Sequence, residues 1–148
     1  MIERHFVTPK NTYTKGPHGR KVRYTPVIVV QTDDHAHVYV SGRTARLSNG
    51  DLAGIGDMRT QIRVVCENIR TALASVGATL DDVVRTTTYT TDMDEYLRCY
   101  DERFEFFKEP LPTSSLIGVS RLVLPEVLVE IEVEAIMDPQ LLRVPTDD

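Results

Sequence analysis

Residues Leu128–Met137 read LVEIEVEAIM, and this stretch decides the fold. In an extended chain successive side chains point to opposite faces. Val129, Ile131, Val133, Ala135 and Met137 therefore share one face, while Glu130, Glu132 and Glu134 share the other. The strand demands a sheet with one packed side and one polar side.

The packing material lies upstream. From Asp57 to Val76, the apolar residues Met58, Ile62, Val65, Ile69, Leu73 and Val76 recur every three or four positions, which makes one stripe on a helix. Asp57 can accept from the free amides of the first turn, and Gly77 suits the left-handed position after the last. A second helix follows Asp92-Met93-Asp94-Glu95, which has the spacing of a capping box. Its stripe is Tyr96, Tyr100, Phe104 and Phe107, and it stops before Pro110 and Pro112. Strands are expected at Arg23–Val30, His37–Ser41, Val83–Thr91 and Leu116–Ser120, where β-branched residues are dense. Arg43–Gly56 reads as loop, with Asn49-Gly50 as a turn. The order strand, strand, helix, strand, helix, strand, strand predicts an α+β domain with both helices on one face of the sheet.

At 148 residues the chain suits a single domain. We divide it into a basic arm (1–22), the α+β domain (23–138) and a short C-terminal tail (139–148). The net charge of −5 hides an asymmetry. Through Arg23 the chain carries Arg4, Lys10, Lys15, Arg20, Lys21 and Arg23 against Glu3 alone, so the rest of it is strongly acidic. An acidic body disfavours nucleic acid as a partner, because phosphate contacts supply most non-specific affinity. The arm could grip an anion or a neighbouring subunit, but, rich in Lys, Thr, Gly and Pro, it is expected to be a solvated, partly mobile terminus.

No apolar run approaches a membrane span, and no signal-peptide core follows Met1. A cytoplasmic location without membrane partners is expected, with Cys66 and Cys99 as reduced thiols. His35 and His37 flank Ala36, but two ligands without a nearby carboxylate or thiolate motif make a weak metal site, so no metal is expected.

Three blocks in order, HVYVSG (His37–Gly42), TQIRVVCENIRTALASVGATLDDVVRTTTYTTDMDEY (Thr60–Tyr96) and LVEIEVEAI (Leu128–Ile136), resemble the Rid (reactive intermediate deaminase, YjgF) family. The resemblance implies a chorismate-mutase-like subunit assembled as a homotrimer, with small-molecule clefts between subunits. It also implies hydrolysis of imines or enamines with no metal or organic cofactor. In the family an arginine in a Pro-x-Arg-Ser segment clamps the substrate carboxylate. Here that segment is Pro112-Thr113-Ser114-Ser115, and Ser114 holds the arginine's place. A hydroxyl offers one donor and no charge, so it cannot replace a bidentate guanidinium.

The family match assigns Glu132 to water positioning, with Ser41, Gly42, Ser114 and Ser115 as substrate contacts. Tyr24 and Tyr89 are expected as cleft walls, and Arg43 is the first candidate for a substitute cation, ahead of Arg121. Three functions stay open: an imine or enamine hydrolase with an altered carboxylate contact, a non-catalytic metabolite-binding or regulatory trimer, and, least favoured, an endoribonuclease.

Overall fold

A computed structural model describes residues 1–146. Its centre is a six-stranded mixed sheet of β1 (Glu3–Val7), β2 (Val27–Gln31), β3 (Ala36–Arg43), β4 (Val83–Thr90), β5 (Thr113–Gly118) and β6 (Val129–Met137), in the spatial order β1-β2-β3-β6-β4-β5. All neighbours are antiparallel except β4 and β5, which run parallel. Helices α1 (Met58–Ala74) and α2 (Met93–Cys99) pack on one face of it. β6, the strand with strict alternation, lies between β3 and β4 and buries Val129, Ile131, Val133, Ala135 and Met137 beneath the helices.

The helix caps follow local chemistry. Asp57 accepts the Thr60 amide at 3.1 Å, and Gly77 takes φ 83° just past the end of α1. Asp92 accepts the Glu95 amide at 3.1 Å. The returning half of the expected capping box does not form: Glu95 turns forward to Arg98 at 2.7 Å, and the Thr90 hydroxyl accepts the Asp92 amide instead. Gln61, on the buried stripe of α1, donates to the carbonyls of Gly54 and Glu126 and accepts the Leu128 amide at 2.9 Å. It fastens the loop that feeds β6.

Three expectations need correction. The first strand is not Arg23–Val30. β1 lies inside the supposedly mobile arm, pairing Glu3 with Gln31 through Val7 with Val27, and β2 begins only at Val27. The second helix changes pitch after Cys99 into a 3-10 segment, Tyr100–Glu105. Three residues per turn rotate the stripe, so Tyr100 and Phe104 are exposed while Phe106 and Phe107 are buried. The last short strand starts earlier than expected, at Thr113, which places Ser114 and Ser115 on an edge strand rather than in a loop.

Candidate functional site

The face of the sheet turned away from the helices carries Glu130, Glu132 and Glu134. In register across it, Glu134 lies between Tyr39 and Arg85, Glu132 beside Thr87, and Glu130 beside Tyr89. Among the described residues none of the three carboxylates has a cation within 4.0 Å. Glu132 instead accepts the Tyr89 hydroxyl at 2.8 Å. That bond pushes the Tyr89 phenol above its ordinary value. Burial, and then the charge of Glu132, push the Glu130 carboxyl above the usual carboxylate range.

β3 breaks register with β6 between Val40 and Arg43. The irregularity sets Ser41 and Gly42 against the acidic row, so close that a Cβ on Gly42 would require the Glu130 carboxyl group to move. Ser41 donates its hydroxyl to the Thr25 carbonyl at 2.7 Å and its amide to Pro26. Its donor is therefore spent on holding the start of β2, and its oxygen faces the cleft as an acceptor.

A cleft of about 850 Å³ opens here. Tyr24, Ser41, Gly42, Glu130 and Glu132 line it, which brings together four of the residues read from the sequence. Tyr24 is half exposed, and burial of the hydroxyl, with Tyr13 beside it, pushes the phenol up. A second hollow of about 370 Å³ continues up the open face and shares Ser41 and Glu132. Tyr89 reaches the site through its bond to Glu132.

The remaining candidates lie elsewhere in the subunit. Arg43 is 1% exposed and does not line the cleft; its guanidinium sits 5.6 Å from the centre of the Tyr13 ring. Ser114 pairs with Thr86 and lines a separate hollow of about 150 Å³ with Tyr100, Arg103 and Phe107. Arg103 offers no free fork there, since its nitrogens donate to the hydroxyls of Thr86, Thr88 and Tyr96, each at 3.0 Å. Ser115 pairs with Thr87, whose other neighbour is Glu132. Arg121 is exposed and donates to the Leu122 carbonyl.

Sequence reasoning missed Glu130 as a cleft residue, although its two-residue spacing from Glu132 placed it on the same face. It also favoured a solvated arm, whereas Arg20 and Lys21 of the arm and the adjoining Arg23 line the cleft with the carboxylates. The cysteines stay outside the site. Both are free, and burial pushes the Cys66 thiol up to about 12. No group of three or more metal-ligating side chains occurs among the described residues, and no helix is long and apolar enough to cross a membrane.

The fold has known counterparts. Residues 20–137 match the family described as endoribonuclease L-PSP. The chain belongs to this family, the YjgF/Rid family. It is 31% identical to the 3-aminoacrylate deaminase RutC of Acinetobacter baylyi over 78% of this chain and 90% of that one. It is 39% identical to a RutC family protein of Pyrococcus horikoshii, a match that spans 52% of this chain and only 60% of the relative's length. Among solved structures, a Rid family protein of Yersinia pestis superposes with a TM-score of 0.74 at 28% identity, covering 90% of this chain and 98% of that one. A YjgF-family protein of Mycobacterium tuberculosis gives 0.67 at 29% identity, covering 86% and 98%.

Proposed function

We propose that this protein is a cytoplasmic, trimeric hydrolase of imines or enamines, releasing ammonia and a carbonyl product. The observation that carries the reading is the pair Glu130 and Glu132, adjacent in one cleft and differently held. Glu132 is fixed by the Tyr89 hydroxyl. Glu130 is half-buried with a raised proton affinity. Two carboxyls whose environments separate their protonation behaviour are suited to divide base and acid roles.

In this mechanism Glu132, oriented by Tyr89, accepts a hydrogen bond from a water and takes its proton as the oxygen attacks the imine carbon. Glu130 supplies a proton to the nitrogen. Glu132 returns the water's proton to the amino nitrogen. Collapse of the carbinolamine then forms the C=O bond, breaks the C–N bond and expels ammonia, while the hydroxyl proton passes to Glu130 and restores both carboxyls. Overall one imine and one water give one carbonyl and one ammonia. An enamine enters the same path after protonation at carbon. An imine carbon is already electrophilic, so positioning and proton transfer meet the chemical demand.

Trimer assembly is part of the proposal. The upper part of the open sheet face carries Phe6 at 66% exposure and Ile136 at 43%, and the edge strand β5 shows Leu116 and Ile117 to solvent. Exposed apolar patches and unpaired strand edges call for a partner. Covering them with copies of this chain would bring the Ser114 hollow of one subunit toward the carboxylate cleft of the next. The 3-aminoacrylate deaminase named among the relatives supports the substrate class.

The test is ammonia release from freshly generated 2-iminobutanoate, 2-aminoacrylate and 3-aminoacrylate. The proposal expects acceleration over buffer for at least one of them. Ser114 favours a second reading, a metabolite-binding trimer without turnover. Ligand-dependent thermal shifts with ammonia release at the buffer rate would establish that reading instead.

A further inference from the structure

The cleft holds more positive charge than its chemistry uses. Arg20, Lys21, Arg23 and Arg46 line it against the two carboxylates Glu130 and Glu132. None of these four cations has a carboxylate within 4.0 Å among the described residues.

The surplus continues beneath the surface. Tyr13 lies between two guanidiniums, that of Arg46 at 4.6 Å from the ring centre and that of Arg43 at 5.6 Å. Arg43 is 1% exposed and Arg46 7%. Arg46 donates only to main-chain carbonyls, those of Gly50 and Gly16. Nε and Nη2 of Arg43 have no hydrogen-bond partner, and neither has the buried hydroxyl of Thr44, which lines the cleft. Buried charges without partners are costly. Of these groups Arg46 and Thr44 line the cleft, so an anion entering it would find a cation and an unused hydroxyl on its wall.

Resting on the hydrolase reading, we propose that the substrate carries two acidic groups. Its imine or enamine end lies at Glu130 and Glu132, and a distal carboxylate or phosphate is held by the arm's Arg20 and the adjoining Arg23 with Arg46 and Thr44. The cleft is large enough for such a ligand, since its volume of about 850 Å³ falls in the range of pockets that enclose extended small molecules. The guanidinium fork pairs equally well with carboxylate and phosphate, so the two acids must be told apart by measurement.

The experiment is calorimetric titration of the full chain with three 2-keto acids that mimic the product: 2-oxobutanoate, 2-oxoglutarate and 3-phosphohydroxypyruvate. We expect one of the two ligands with a second acidic group to bind about tenfold or more tighter than 2-oxobutanoate, a gain typical of charge-assisted hydrogen bonds. The tighter of the two identifies the distal acid. In the double variant Arg20→Gln/Arg23→Gln, with Tm confirming the fold, that advantage should shrink to about threefold or less, while 2-oxobutanoate binding is unchanged. Equal binding of all three acids, or an advantage that survives in the double variant, would overturn the inference. Ammonia release from 2-iminobutanoate without any preference for a second acidic group would overturn it and leave the hydrolase reading standing. Preference for a second acidic group without ammonia release from any imine would do the reverse.

Discussion

Glu130 is the residue at which function and stability pull apart. Its folded-state pKa lies above the ordinary 4.5, so between the two values the folded protein holds a proton that the unfolded chain has lost. Stability therefore falls as pH rises through that window and stays lower at neutral pH. Glu130→Gln should show a Tm equal to the parent's below pH 4.5 and a higher one at pH 7, with reduced ammonia release. A variant destabilised at pH 7 would contradict this. Tyr89→Phe removes the one hydrogen bond that the Glu132 side chain makes among the described residues. Losing a bond to a charged group costs about 1.5–3 kcal/mol, so turnover should drop roughly ten- to a hundredfold. Because Tyr89 is exposed enough to be rehydrated, its Tm should move little.

At the scale of elements, β6 and α1 were legible because their signals are local. Alternation in LVEIEVEAIM and the period of α1 need no distant partner to be read. β1 was not, because ERHFV carries charge where a core strand would be apolar, and only its pairing with β2, twenty and more residues on, makes it a strand. The shift to 3-10 pitch after Cys99 escaped for a similar reason: the packing of Phe106 and Phe107 decides it, and the spacing of aromatics does not. Gln61 shows how a polar residue on an apolar stripe earns its place. Its amide joins α1 to the loop before β6 through two hydrogen bonds, and to the Gly54 carbonyl ahead of α1 through a third. Gln61→Ala leaves the Leu128 amide unpaired and should cost about 2–4 kcal/mol. Thermal unfolding should register this as a drop of roughly 5–15 °C, and an unchanged Tm would show that water replaces the side chain.

For the whole molecule, the site was half legible. Ser41, Gly42 and Glu132 do meet, since the bulge in β3 lies against the middle of β6. Ser114 stands on the far side of β4 from Glu132, so one chain does not unite the two. The basic arm, read as a solvated terminus, forms a wall of the cleft. No local pattern reveals that, because the arm's route is set by β1 and by Arg46 holding the Gly16 carbonyl. The exposed apolar residues of the open face, Phe6 and Ile136 among them, are where assembly should occur. Sedimentation should give a species of three 16.7 kDa chains. Ile136→Asp should shift it toward monomer and lower activity in step. A parent protein that sediments as a monomer would remove the shared cleft from the account.

The measurement that bears most directly on the central claim is ammonia release by the parent protein and by Glu132→Gln, assayed side by side on the same freshly generated imine and enamine. The account predicts acceleration by the parent and release at the buffer rate by the variant, with both chains folded and equally assembled. A parent at the buffer rate on every substrate, or a variant as fast as its parent, would contradict it.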